Sequence, residues 1–484
     1  MPAIVFFLGW TKLFIGIPCC VLLAVAVWLS SKKCENKVIS VSWKALIIAA
    51  AVIVIWAILS GQGGIFTQKQ DWGARNVIFR DIIFRSWPVK YSNNVSLVYY
   101  IGIWLVPALF GKIGVLAGSK SMALILGRTA LLIWVSVLIF FVYILLLFKL
   151  NAKNKKSLYI ILAIMILFSG MDALGAINNP TWFNVHLEWW SKGIQYTSMS
   201  AQLCWVFNQS VPAWLVCALM YNEKDESSFA LIGLLALTSS PFPFVGIILY
   251  MFAFAARNLI KAVKAKEVLP FFKRVFTLQN VLSVIALVPV YAMYYITNSS
   301  FQGSSEGGGI AVNNEQGSDS FMIYLFFYLV EFALLLFVIR SKKRRFENLF
   351  ILITLILIPF VKIGYSCDFC MRASIPSLFL LMINFMEFII YEAPVKLNNP
   401  TPEETKVNQR KLRRYIPAVI IFLIGCITPG VEYYTSAAEF IRTKGSCVTK
   451  YDYVETYDNV PAENIQNFVC PDYTDTIFYK YIAK

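Results

Sequence analysis

The sequence has few charged residues, and this scarcity limits the classes of protein to which it can belong. Only 14% of its 484 residues are Asp, Glu, Lys or Arg, whereas a soluble domain has about 25%. Hydrophobic residues make up 58% of the chain and occur in long blocks. An ordinary soluble enzyme is therefore excluded. The pattern predicts an all-α, polytopic membrane protein, because a crossing helix needs about 20 apolar residues.

Motifs that mark several kinds of catalysis are also missing. The sequence has no Walker motif, no dinucleotide fingerprint and no nucleophile elbow, which disfavours ATP-driven transport and hydrolase chemistry. His186 is the only histidine, so a His-rich zinc site is excluded. A carboxylate-bound divalent cation such as Mg²⁺ or Mn²⁺ stays open, and the sequence names no metal ligand.

Positive charge is abundant relative to negative charge, with 43 Lys and Arg against 27 Asp and Glu. The basic residues form short clusters between apolar blocks, where they orient helices by lying on the cytoplasmic side. This placement argues against binding to nucleic acid.

The apolar runs predict about twelve crossings, two of them short. Between residues 229 and 256 the run is broken by Ser239-Ser240-Pro241-Phe242-Pro243, which predicts two half-length helices meeting at a turn. Residues 97–117 are predicted to lie at the outer interface, because a crossing there would place the basic cluster after Lys149 outside. Both termini are then extracytoplasmic. The ten longer runs are 3–29, 44–62, 124–149, 157–175, 198–221, 278–297, 320–340, 347–362, 373–391 and 415–429.

This topology divides the chain into a membrane bundle at 1–429 and a small extracytoplasmic segment at 430–484. Polar residues at the outer rim of such a bundle are the best candidates for function. The outer loops of the bundle that are predicted to be catalytic are 63–123, 176–197, 298–319 and 362–373.

The first outer loop carries Asp71 after a glycine-rich turn, with Arg75 four residues later on the same helical face. Its basic residues suit anionic head groups or a lipid phosphate. The alternative is that the charges only anchor an interfacial helix, and this interpretation is preferred for Arg80, Arg85 and Lys90.

The second outer loop combines ionisable and aromatic residues. Asp172 lies at the outer end of a span, and His186 and Glu188 precede Trp189. Aromatic faces beside carboxylates suit sugar rings, so these four residues are candidates for a sugar or acceptor pocket. An interfacial aromatic belt would account for the tryptophans equally well.

The third constellation precedes a span and contains Asp368 and Arg372. Arg372 could bind a phosphate through two N–H groups, and Asp368 could join the pocket. The alternatives are a snorkelling anchor and an ion pair between the two residues. Cys447 and Cys470 in the C-terminal segment are the candidates for a disulfide.

The order of these elements resembles the GT-C superfamily of membrane glycosyltransferases. A short first span precedes a long outer loop with Asp71, the segment LVYYIGIWL…ALFGKIG and a helix beginning near Arg128. The resemblance implies a sugar donor linked to polyprenyl phosphate, and Asp71 as the general base. This loop departs from many members because it lacks an Asp-x-Asp or Asp-Glu pair.

Together these features predict a glycosyltransferase of a bacterial cytoplasmic membrane, acting at its outer side on a glycan, lipid or protein acceptor. Charge and depth add Arg75 and Arg372 as ligands of the lipid phosphate. Two alternatives remain. A translocator of lipid-linked glycans would use the basic rim to guide anionic cargo, and a polysaccharide polymerase would also need outward carboxylates and arginines.

Overall fold

The structure is a computed structural model that describes residues 1–33, 39–191, 193–299, 310–312, 320–363, 367–395, 401–448, 455–459 and 468–484. Much of the predicted loop 298–319 lies outside the described residues. The described chain is mainly helical, as the apolar blocks predict.

The helices of the first half of the chain run from the N-terminus to the middle of the bundle. Their bounds are α1 Pro2–Trp10, α2 Leu13–Ser31, α3 Trp43–Leu59, α4 Trp72–Phe84, α5 Gly102–Leu116, α6 Lys120–Lys149, α7 Lys155–Leu167, α8 Asp172–Ala176, α9 Met199–Asn222 and α10 Phe229–Leu234.

The second half of the chain is also mainly helical. Its helices are α11 Pro241–Ala265, α12 Val268–Val275, α13 Leu278–Ile296, α14 Ser320–Tyr328, α15 Leu334–Val338, α16 Arg345–Leu357, α17 Asp368–Ala373, α18 Ile375–Tyr391, α19 Pro402–Gly425 and α20 Ile427–Arg442. A π-helical turn at Leu329–Ala333 joins α14 to α15.

Eight helical segments among the described residues are long and apolar enough to cross a membrane. A polytopic helical bundle is thereby supported, whereas the count of twelve crossings stays a prediction. The eight segments are Leu13–Ser31, Lys120–Lys149, Lys155–Ala176, Met199–Asn222, Pro241–Ala265, Leu278–Ile296, Phe321–Val338 and Pro402–Arg442.

The interruption near Ser239 is present, but the second of the two predicted half-length helices is wrong in length. α11 has 25 residues and belongs to the eight candidate spans. The cause is the position of the prolines. Pro241 is the first residue of α11, a position at which a backbone N–H has no partner within the helix. The missing N–H of proline therefore costs no hydrogen bond, and the prolines begin a full-length helix.

The predicted first span at 3–29 is divided in the structure. Thr11 has extended backbone angles between α1 and α2, and α1 folds back against α2. A Cβ on Gly16 would lie 2.5 Å from the carbonyl oxygen of Phe7, so this glycine permits the close approach. Lys12 N–H donates to the carbonyl of Ile482 at 2.8 Å, which ties the break to the C-terminus.

Two short antiparallel sheets join the predicted outer segments to one another. β1 (Ser96–Leu97) pairs with β4 (Val469–Cys470), and β2 (Ile310–Val312) pairs with β3 (Val361–Ile363). The first outer loop and the C-terminal segment therefore lie at the same end of the bundle. Which side of a membrane this end faces stays a prediction.

α5, the predicted interfacial helix, packs closely on its neighbours along one face. A Cβ on Gly111 would lie 2.8 Å from the Ile83 side chain, so glycine is required for this contact. Its other face exposes Phe110, Ile113 and Leu116, the last at 89%. At 15 residues it is shorter than the roughly 20 that a crossing needs.

Candidate functional site

Asp71 and Arg75 form an ion pair at the start of α4. Arg75 Nη2 lies 2.8 Å from Asp71 Oδ2, as the four-residue spacing predicts. The Asp71 side chain is 45% exposed, whereas that of Arg75 is 5% exposed. The intervening Trp72 is buried and donates its indole N–H to the Cys204 carbonyl at 2.8 Å. This indole fixes α4 against α9, so the carboxylate is presented at a defined place.

Asp368 and Arg372 form a second pair with the same spacing in α17. Arg372 Nη1 lies 2.6 Å from Asp368 Oδ2, and the side chains are 6% and 36% exposed respectively. The ion pair that the sequence offered as an alternative is therefore present, and phosphate binding by Arg372 stays a prediction. Burial lowers the pKa of Arg372, but the Asp368 carboxylate outweighs it and the pKa is raised. The guanidinium also lies 5.9 Å from the centre of the Phe242 ring, within range of a cation–π interaction.

Tyr99 and Tyr100 contact each other, with their ring centres 3.6 Å apart. Burial raises the pKa of Tyr99, and the positive charges of Arg75 and Arg372 both oppose this rise. Both guanidinium groups therefore act electrostatically on the same phenol. The predicted interfacial position of residues 97–117 did not indicate this role.

Both arginines keep buried N–H groups that have no hydrogen-bond acceptor among the described residues. These atoms are Arg75 Nη1 and Arg372 Nε, on side chains that are about 95% buried. An unpaired buried donor typically costs about 1–3 kcal/mol, and more when it is charged. Each of these N–H groups could therefore donate to a bound anion.

His186 lies in a buried ion network and not in an open pocket. Its Nδ1 bonds to a Glu432 oxygen, and its Nε2 lies 3.6 Å from Glu188 Oε2. Burial alone would lower the pKa of His186, but its bonds to Glu188 and Glu432 outweigh burial and raise the pKa to about 10. The imidazole is therefore a cation near neutral pH.

Three residues that the sequence analysis missed complete this network. Lys69 Nζ lies 3.1 Å from Glu432 Oε2, and Trp205 Nε1 donates to the same oxygen at 3.1 Å. Gln195 Nε2 donates to Glu188 Oε2 at 2.9 Å. Lys69 and Trp205 are far from Glu432 in the sequence, so no local pattern indicates their contacts, whereas Gln195 is only seven residues from Glu188.

Glu188 and Trp189 are placed by the same network. Glu188 is 1% exposed and also accepts the Ser198 backbone N–H at 2.9 Å. Trp189 contacts the edge of the His186 ring, with ring centres 5.2 Å apart. Glu188 bonds to neighbouring protein groups and Trp189 packs against His186. Their role in a sugar pocket stays a prediction.

Gln195 connects this network to the helix that carries Arg372. The thiol of Cys367 donates to the Gln195 side-chain oxygen at 3.4 Å, and Cys370 donates to its backbone carbonyl at 3.6 Å. Lys69 of the same network is two residues from Asp71 in the sequence, so the network also adjoins the start of α4. Asp172 belongs to a separate contact with Glu331.

Two of the three other predicted anchors in the first loop contact the C-terminal segment. Arg85 bonds to Asp458, and Lys90 Nζ lies 3.4 Å from the carbonyl oxygen of Lys484. Arg80 pairs within α4, where its Nη1 lies 2.8 Å from Asp81 Oδ1. Their interpretation as anchors of an interfacial helix stays a prediction.

The disulfide candidates are separate free thiols. Cys447 Sγ lies 3.4 Å from the Thr67 hydroxyl, whereas Cys470 is buried in β4 opposite Ser96. The two cysteines are held by different parts of the first loop, so they are not bridged. Among the described residues no group of three or more His, Cys, Asp or Glu could hold a metal ion. Comparison of the chain with protein-family models, curated proteins and solved structures found no match.

Proposed function

We propose that the protein is a membrane glycosyltransferase that takes a sugar from a polyprenyl-phosphate donor at the outer end of its bundle. The observation that carries the proposal is the pair of buried arginines, Arg75 and Arg372, each with an N–H group that has no hydrogen-bond acceptor among the described residues, and both acting electrostatically on Tyr99. Guanidinium groups bind phosphate through parallel N–H donors, and a lipid phosphate reaches this depth from the bilayer.

Asp71 supplies the base in this proposal. It is the most exposed member of the two ion pairs, at 45% against 36% for Asp368, so an acceptor hydroxyl can approach it. The Asp71 carboxylate accepts the hydroxyl proton as the acceptor oxygen bonds to the anomeric carbon. The bond from that carbon to the phosphate oxygen breaks, and its electron pair leaves on the phosphate.

The arginines then stabilise negative charge that increases during the reaction. The departing phosphate gains negative charge, and buried donors already in place stabilise that charge better than water does. The Asp368–Arg372 contact of 2.6 Å keeps one guanidinium oriented before the donor arrives.

The proposal is tested by consumption of a polyprenyl-phosphate hexose in membranes that contain the full chain. We expect Arg372→Gln to slow release of polyprenyl phosphate by about 10²–10³-fold, because one stabilising donor is lost. Arg344→Gln is the matched control. Arg344 is 7% exposed and bonds to Glu387 at 3.0 Å beside the other end of α18, so its loss perturbs folding without touching the site.

Equal activity in the Arg372 and Arg344 variants would contradict the proposal. Movement of intact donor across proteoliposomes, without a new glycosidic bond, would instead favour a translocator.

A further inference from the structure

A second polar site lies inside the bundle, where two candidate spans are irregular at the same place. The span Lys155–Ala176 is interrupted between Leu167 and Asp172, where the chain is not helical. The span Phe321–Val338 contains the π-helical turn Leu329–Ala333. The Met171 N–H donates to the Val330 carbonyl at 3.2 Å, so the two irregular stretches are in direct contact.

Each irregular stretch carries one buried acid. Asp172 is 1% exposed and Glu331 is 4% exposed, and their carboxyl groups are hydrogen-bonded to each other. A Cβ on Gly170 would overlap the Glu331 carboxylate, so only glycine leaves room for this approach. Two contacting carboxyl groups in an apolar bundle cannot both carry a negative charge.

No basic side chain among the described residues forms an ion pair with either acid. Asp172 accepts from Ser169 Oγ at 3.3 Å, Thr428 Oγ1 at 3.0 Å and Trp190 Nε1 at 3.2 Å, and all three donors are neutral. Glu331 Oε1 is buried without a hydrogen-bond partner in the described structure. The carboxylate also lines a small cavity with Ser169, Gly170, Thr197 and Gln202.

We propose that Asp172 and Glu331 form a buried site for one monovalent cation, a proton or Na⁺. Both ions supply the single positive charge that the pair lacks, and both suit hard oxygen ligands at interrupted helices. Among the described residues, Glu188 acts on both acids and Tyr196 acts on Glu331, and His186 and Glu432 lie beyond Glu188. Glu188 and Glu432 both pair with His186, and Glu432 also pairs with Lys69. The site goes beyond glycosyl transfer and does not depend on it.

Infrared spectroscopy of the full-length protein in nanodiscs tests the site. In choline chloride at neutral pH we expect the wild type to show a protonated-carboxyl C=O band that Glu331→Gln abolishes. Asp172→Asn is the second variant, in case the first does not fold. Glu347→Gln is the control, because Glu347 pairs with Arg257 at 3.5 Å and should leave the band unchanged.

Replacement of choline by Na⁺ distinguishes the two ions. A band that survives 100 mM NaCl identifies the proton. Loss of the band, with a wild-type Tm rise of about 2 °C that Glu331→Gln lacks, identifies Na⁺. The proposal is overturned if the wild type shows neither the band nor a Na⁺-specific Tm rise, or if the band persists in both variants.

Discussion

Helix α4 carries two Asp–Arg pairs of identical spacing in opposite environments. In the first, Asp71 is 45% exposed and Arg75 is 5% exposed; in the second, Asp81 is fully buried and Arg85 is 28% exposed. The buried carboxylate of Asp81 has hydrogen-bond partners besides its arginines, since Thr456 Oγ1 and Tyr457 N–H donate to it at 3.1 and 2.9 Å. The buried guanidinium of Arg75 has one N–H group without a hydrogen-bond acceptor among the described residues.

This difference separates a structural pair from a candidate site. Burial raises the pKa of Asp81, and its four partners oppose that rise. Those partners include the C-terminal segment, so the pair fastens distant parts of the chain. The described residues show no contact of this kind around Asp71, and Arg75 keeps a donor for a ligand. The same sequence spacing therefore produces two different roles.

The largest expected effect comes from breaking the ion pair between Asp71 and Arg75. Asp71→Asn should reduce sugar transfer by about 10²–10⁴-fold, because the amide cannot accept the acceptor proton. Because Asp71 is the ion-pair partner of the buried Arg75, the substitution should also lower the Tm, so transfer is expressed per folded molecule. The measurement is donor consumption together with thermal unfolding in detergent. Wild-type transfer in this variant would make Asp71 an anchor.

Breaking the second pair should give the reverse result. Asp81→Asn leaves the charges of Arg80 and Arg85 beside a buried neutral group, and should lower the free energy of unfolding by about 3 kcal/mol. Transfer per folded molecule should be largely retained. The ratio of activity to folded fraction, measured after size exclusion, tests this. A specific activity that falls as far as in Asp71→Asn would contradict the distinction.

A smaller effect concerns pH and the buried His186. Its folded pKa is about 10, above the ordinary value of 6.5, so the folded protein binds the proton more tightly than the unfolded chain. The stabilisation is complete below pH 6.5 and is lost as pH rises toward 10. The Tm of the wild type should fall over this interval more steeply than that of His186→Gln. Parallel Tm curves would show that the imidazole is neutral.

The smallest expected effect comes from the partly exposed contact between Arg85 of the second pair and Asp458. Asp458→Asn removes the ion pair between Arg85 and Asp458, whose side chains are 28% and 25% exposed. Solvent screens such pairs, so the loss should be about 0.5 kcal/mol. Chemical denaturation at two salt concentrations measures it. A loss comparable to that of Asp81→Asn would mean that the C-terminal segment depends on this contact.

Local spacing was enough to predict some of the site. Asp71 with Arg75 and Asp368 with Arg372 are each four residues apart, and a helix brings such residues together wherever it lies. Spacing did not reveal Glu432, which reaches His186 from 246 positions away. It also did not reveal Glu331, which is a single acid within an apolar run of the sequence. Contacts across the bundle depend on how helices pack, and no local pattern carries that information.

Long blocks of hydrophobic residues, 58% of the chain, are enough to predict a helical membrane bundle, because such blocks must be kept from water and must satisfy their own backbone groups. The packing of distant segments then sets which of the two Asp–Arg pairs has a buried acid and which has a buried base, because burial and hydrogen bonding depend on neighbours that local spacing does not reveal. For Asp81 those neighbours are Thr456 and Tyr457, and the charge of Arg75 acts on Tyr99.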